Sequence, residues 1–439
     1  MLFRNATLPD GRVRDVRVVD ERIDAVGEDL APVSDDDRAI DATDKRLFPG
    51  AIDVHVHFRE PGFSHKETWA TGSTSAAAGG VTTVVDQPNT DPPTVDGPGF
   101  DEKARLAEAS VVDYGLNGGV TGDWDPDTLF DRPLFALGEV FLADSTGDMG
   151  IEADLFAEAV ERAGREDVTI TVHAEDADLF DEEAHDWAEA DRGVGHGADA
   201  DCWSAYRTPE AEATAVERAC EVAGEYDTAL HIAHTSTPEA VDAASEAGAT
   251  CEVTPHHLFL SREDLEDLGT YGRMNPPLRS AERREAVYDR VADGTVDVIA
   301  TDHAPHTREE KEARLLDAPS GVPGVETMLP LLLEEARQGR LDYERVRDLV
   351  AANPADVFDV PGKGRIGEGM DADLVLFHPD ADREIRGEDL HSKCGWTPFE
   401  GRQGVFPELT LVRGRVVYER DPETGEERFG DADGKNVRG

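Results

Sequence analysis

Eight short apolar runs, each closed by polar residues, constrain this chain more than any other feature. They are LFPGAIDVHVHF (47–58), GGVTTVVDQP (79–88), VVDYGLNGGV (111–120), PLFALGEVFLA (133–143), DVTITVHAE (167–175), TALHIAHTS (228–236), ATCEVTPHH (249–257) and VDVIATDHA (296–304). Strands covered on both faces read as continuous apolar runs, because neither side meets water. Helical patterns lie between several of them. Residues 209–224 put Ala215, Val216, Ala219, Cys220 and Ala223 on one stripe behind Pro209, which suits a first turn. Residues 151–166 do the same with Leu155, Phe156, Ala159, Val160 and Ala163. Strand and helix alternating in this way predict an α/β chain built on a (β/α)8 barrel over residues 47–363. Such barrels carry their chemistry at the C-terminal ends of the strands.

The two ends of the chain follow a different rule. Residues 1–46 contain VRDVRVVDERIDAVGE, and residues 364–420 contain GMDADLVLFHPD and LTLVRGRVVYER, all with strand-like alternation. One small β-sandwich assembled from both termini is expected beside the barrel. The charged, Gly-containing stretch 421–439 is expected to be a mobile acidic tail.

The strand ends carry metal-type ligands. In His55-Val56-His57 the period of two places both imidazoles on one face, together with Asp53. Two such histidines can share one metal ion; alone, the pair would read equally well as hydrogen-bonded core histidines. His173, His234 and Asp302 sit near the ends of three further runs, and five ligand-type residues at such positions favour a metal centre. His231 reads better as a supporting or core histidine than as a ligand, and so do His256 and His257.

Composition narrows the setting. The chain has 439 residues, with 95 acidic and 43 basic side chains and a formal net charge of −52. That charge argues against nucleic acid or an anionic membrane as partner. The acid is spread along the chain, as in SDDDRAID and FDEEAHDWAEADRG, rather than gathered in one tail. A solvated acidic surface fits a salt-rich cytosol, where screening shortens the self-repulsion. No apolar run approaches the roughly 20 residues needed to span a bilayer, and the N-terminus lacks a signal-peptide pattern. A cytoplasmic location is expected. The four cysteines show no CxxC spacing, and Cys220 and Cys251 read as small core residues.

From Pro49 to about Pro379 the chain resembles the dihydroorotase family of the amidohydrolase superfamily, in its archaeal and long bacterial forms. The motifs that carry the resemblance are DVHVHFREPG, QPNTDPP, HIAHTST, EVTPHHL, MNPPLR and ATDHAPHTREEK, followed by GVPGVETMLPLLL. The resemblance implies reversible cyclisation of N-carbamoyl-L-aspartate to L-dihydroorotate in pyrimidine biosynthesis. It also implies two zinc ions per subunit. His55, His57 and Asp302 would hold the more buried ion, and His173 with His234 the second. Asp302 would double as catalytic proton shuttle. Arg59, Asn89, Asn275 and His306 match substrate-binding positions, with Arg59 gripping the α-carboxylate. The loop 307–324 would cover the site. Many relatives bridge the metals with a carboxylated lysine on the fourth strand; here Glu139 occupies that place, with Asp144 as the alternative. An allantoinase or hydantoinase would share barrel and metals without the carboxylate grip of Arg59, Asn89 and Asn275. A catalytically silent scaffold, such as those that pair with aspartate transcarbamoylase, would lack the ligands. A homo-oligomer is compatible with the sequence.

Overall fold

The computed structural model describes residues 1–34, 37–145 and 149–439. Residues 35–36 of SDDDRAID, a segment singled out above, lie outside the described residues. The chain opens with five strands, β1 (Leu2–Thr7), β2 (Val13–Val19), β3 (Arg22–Gly27), β4 (Ala39–Asp41) and β5 (Arg46–Pro49). Eight parallel strands follow: β6 (Ala51–Val56), β7 (Val81–Asp86), β8 (Asp113–Leu116), β9 (Leu137–Phe141), β10 (Ile170–His173), β11 (Leu230–Ile232), β12 (Thr250–Val253) and β13 (Val298–Ile299). Strands β6–β8 pair in one run and β9–β13 in another. Parallel bridges Gly118–Leu137 and Val56–His303 join the two runs at both seams. All eight expected barrel segments contain one of these strands.

The helices form where the periodicity places them. Pro209–Tyr226 is capped by the Thr208 hydroxyl, carries Pro209 in its first turn and buries Ala211, Ala215, Val216, Ala219 and Ala223. Ala153–Arg165 buries Phe156, Ala159, Val160 and Ala163. These faces join one large apolar core with the strands.

Six strands complete the chain: β14 (Leu374–Phe377), β15 (Asp382–Glu384), β16 (Gln403–Val405), β17 (Leu409–Val412), β18 (Arg415–Arg420) and β19 (Glu427–Phe429). The termini unite in one sheet of order β19-β18-β17-β14-β5-β1-β2-β3, with β4 beside β1. It has its own core, including Phe3, Val16, Ile23, Leu47, Leu374 and Leu411.

Two details differ from the sequence reading. The run 47–58 is not one strand: Arg46–Pro49 pairs with β14 in the terminal sheet, and the barrel strand begins at Ala51. Gly50 makes the handover, because a side chain there would collide with Thr82. The expected free tail also has partners. Strand β19 pairs with β18, and the backbone of Lys435 and Val437 bonds to Tyr114. Arg438 donates to the carbonyls of Phe358 and Asp359. Main-chain pairing to β18 and β8 outweighs the charged composition of this stretch.

Candidate active site

The C-terminal ends of the barrel strands converge on one small cavity. It is lined by His57, Arg59, Asn89, Glu139, Phe141, Ser145, His173, His234, Asn275, Asp302, Ala304, Ser320 and Gly321. Of the residues expected in a site, His55 lies just beneath this lining and His306 behind it.

Two groups of buried donors meet here, His55–His57–Glu139 and Glu139–His173–His234, and both contain Glu139. Its Oε1 lies 2.7 Å from His234 Nε2 and 3.1 Å from His173 Nδ1. Its Oε2 lies 3.4 Å from His55 Nε2. Asp302 Oδ1 sits 2.9 Å from His57 Nε2 and 3.6 Å from His55 Nε2. Asp144, the alternative carboxylate, belongs to neither group. It accepts a hydrogen bond from the Gly150 amide instead.

The histidines are aimed from behind. His55 Nδ1 lies 2.6 Å from Glu252 Oε1, His57 Nδ1 lies 2.6 Å from Asn89 Oδ1, and His173 Nε2 lies 2.8 Å from Glu175 Oε2. Each of these oxygens accepts, so each rear nitrogen carries the hydrogen and each front nitrogen presents a lone pair. Those lone pairs face Glu139 and Asp302, and His55 Nε2 has no hydrogen-bond partner among the described residues. Lone pairs turned on carboxylates in a dry cavity repel unless a cation lies between them. In the metal-free chain, protons can take that place. Burial opposes the charged form of His173, but hydrogen bonds to Glu139 and Glu175 push its pKa up to about 9. Burial likewise opposes charge on His55, and Glu252 with Glu139 outweighs it. A metal ion replaces such protons where ligands of this kind surround it. The donor set fits the metal pair that the sequence motifs imply.

Sequence reasoning missed the residues that do the aiming. Glu252 is 197 residues from His55 and also holds His231 Nε2 at 3.1 Å. Glu175 is backed by Arg207, 2.6 Å away. The one local signal was the spacing His173-x-Glu175, which puts both on one face of a strand. Asp53, although on the same face as His55 and His57, is occupied by the amide and hydroxyl of Thr301. His231 has the supporting role expected of it. His257 is held by Thr254 and the Pro276 carbonyl.

Three residues of the site occupy left-handed backbone, Arg59 (φ 67°), His234 (φ 35°) and Asp302 (φ 46°). For Arg59 and His234 that conformation costs on the order of 1–3 kcal/mol. It turns each side chain off its strand end and over the barrel mouth.

Arg59 and Asn89 face the same cavity as the metal-type donors, and Asn275 closes its far wall. Burial lowers the pKa of Arg59 to about 10, which leaves it charged at neutral pH. His306 is not part of the cavity lining. Lys66 can only donate, so His306 Nδ1 accepts from it at 3.1 Å, and Nε2–H then donates to the Ser320 carbonyl at 2.8 Å. Both ring nitrogens are engaged, and His306 lies against Arg59, its Nε2 3.1 Å from the guanidinium, outside the cavity lining. The loop 307–324 contributes Ser320 and Gly321 to the lining. It is pinned by buried Lys311, which donates to the carbonyls of Arg273 and Pro319.

Comparison with known proteins agrees with this geometry. A model described as "Amidohydrolase family" matches residues 46–417. The dihydroorotase of Halobacterium salinarum is 66% identical over 439 residues, covering 100% of this chain and 99% of that protein. The dihydroorotase of Methanosarcina mazei is 44% identical over 412 residues, covering 90% and 89%. Among solved structures, the L-hydantoinase (dihydropyrimidinase) from Arthrobacter aurescens has a TM-score of 0.91 at 29% identity, covering 99% and 98%. With barrel, donor set and full-length likeness in agreement, the chain belongs to the amidohydrolase family and, within it, to the dihydroorotases of archaeal type.

Proposed function

We propose that this site interconverts N-carbamoyl-L-aspartate and L-dihydroorotate with the help of two zinc ions. The observation that carries the reading is that Arg59, Asn89 and Asn275 share one cavity with Glu139, His173, His234 and Asp302. The cyclic substrate offers a carboxylate beside a ring amide, so a cation and amide donors are needed within reach of the reacting carbonyl. A hydantoin or allantoin ring carries no carboxylate for Arg59 to grip, and leaves that cation unpaired.

His55, His57 and Asp302 would hold the inner ion, His173 and His234 the outer one, and Glu139 both. When bound, zinc supplies Lewis acidity and a water that ionises near neutral pH. The chain supplies the rest. Arg59 offers a planar fork for bidentate grip of the α-carboxylate. Asn89 accepts from His57 through Oδ1, which leaves its NH2 for the substrate. Asp302 moves the proton. Burial opposes its ionised form, but its contact with His57 and the charge of His55 outweigh this and lower its pKa, so it is ionised and free to take up a proton. In the ring-opening direction water gives oxygen to the carbonyl carbon, the C–N bond breaks, and Asp302 delivers the proton to the departing nitrogen. Cyclisation runs the same steps backwards.

The test is a substrate panel with zinc-loaded protein: carbamoyl aspartate, dihydroorotate, allantoin and a hydantoin. Only the first two should turn over. Arg59→Lys should cost roughly 2–4 kcal/mol in kcat/KM for dihydroorotate, because a point charge cannot replace the fork. Unchanged kinetics, or faster turnover of allantoin than dihydroorotate, would overturn the assignment.

A further inference from the structure

Asn275, on the far wall of the cavity, is held in one orientation from outside. The indole Nε1–H of Trp203 donates to its Oδ1 at 2.9 Å, and at 3.3 Å to the Met274 carbonyl. An indole nitrogen only donates, so the amide oxygen must face Trp203. The amide NH2 therefore points the other way, 3.1 Å from the Ser145 hydroxyl on the cavity lining. The two ends of an amide are nearly the same size, and sterics alone would let it flip. Trp203 is itself fixed. It is buried on the helix Asp201–Tyr206, and the Arg273 guanidinium lies 3.9 Å over its ring. Arg273 in turn bonds to the carbonyls of Leu315 and Ala318 in the covering loop.

We propose that Trp203 is a positioning residue for substrate, presetting Asn275 as a hydrogen-bond donor. The site is thereby biased towards ligands with a carboxylate or carbonyl oxygen at that wall, and against those presenting an N–H there. The identity of the substrate in this proposal rests on the dihydroorotase reading; the orientation of Asn275 does not.

The experiment is a double-mutant cycle on the full chain. Trp203→Phe keeps an aromatic ring for Arg273 to stack on and removes the donor together with part of the indole's bulk, which the Asn275→Ala background controls for. KM for dihydroorotate should rise about 5- to 10-fold, the order of one neutral hydrogen bond, with kcat and zinc content held. On an Asn275→Ala background the same substitution should leave KM unchanged. A second readout needs no turnover. The indole N–H resonance of Trp203, identified by its disappearance in Trp203→Phe, should shift in Asn275→Ala as its acceptor is lost. An equal KM rise on both backgrounds, or an indole resonance indifferent to Asn275→Ala, would overturn the proposal. If the resonance shifts while dihydroorotate is not a substrate, the substrate assignment fails and the preset amide stands.

Discussion

The two ends of the barrel both bury carboxylates, but they neutralise them differently. Below the strands, Asp113 and Asp373 meet permanent cations. Lys363 Nζ lies 2.8 Å from Asp113 and also bonds Asp373, while Arg413 bonds Asp113 through its guanidinium and Asp373 through its amide. Two carboxylates face two cations there, and the cluster ties β8 to the terminal sheet. At the mouth, Glu175 has Arg207 behind it. The carboxylates nearest the cavity, Glu139 and Asp302, and Glu252 behind them, are bonded to histidines and have no Lys or Arg in hydrogen-bond contact among the described residues. A charge balanced by Lys or Arg is finished when the chain folds. A charge balanced only by histidine is left open to protons or a metal, and the open end is the one that faces a cavity. The lower cluster is a structural joint and the upper one a binding site.

Breaking each end should therefore have opposite consequences. The largest effect is expected at the mouth. Asp302→Ala removes a ligand and the proton carrier together, and turnover of dihydroorotate should fall by about 10⁴ or more with little change in melting temperature. Near-normal turnover would place the chemistry elsewhere. At the floor, Lys363→Met leaves Asp113 and Asp373 under-compensated in a buried setting. Unfolding free energy should drop by roughly 3–5 kcal/mol while kcat of the folded fraction stays within about twofold. Loss of kcat with stability intact would mean that the two ends are not separate in function. The smallest effect concerns the exterior, which carries most of the −52 formal charge. Screening relieves that self-repulsion, so thermal melts should rise from dilute buffer to molar KCl. A higher melting temperature in dilute buffer would contradict a salt-adapted surface.

Much of this contrast was legible in the residues. The barrel strands declare themselves because each is apolar on both faces, and His55, His57, His173, His234 and Asp302 stand out at their ends. Glu139 could be singled out only by its place on the fourth strand, since one glutamate in a chain with 95 acidic residues carries no mark of its own. What could not be read is the support behind the ligands. Glu252 reaches His55 across 197 positions and Trp203 reaches Asn275 across 72. Such partners are brought together by barrel closure, which leaves no local spacing to detect. His306 is similar: its motif marks it, but the sequence does not place Lys66 and the Ser320 carbonyl at its ring nitrogens. The handover at Gly50 was hidden because strand residues on both sides of it are equally apolar. The tail was misleading for a related reason. Backbone hydrogen bonds and the Arg438 guanidinium hold it, and composition alone shows neither.

On the proposed reading, Glu139 would help to hold both metal ions at the barrel mouth. Metal content per chain, measured on wild type and Glu139→Ala after zinc loading and desalting, tests it most directly. Two ions are expected in the wild type and one in the variant, because His55, His57 and Asp302 would remain to hold the inner ion. Two tightly held ions in Glu139→Ala, or a single ion in the wild type, would contradict it.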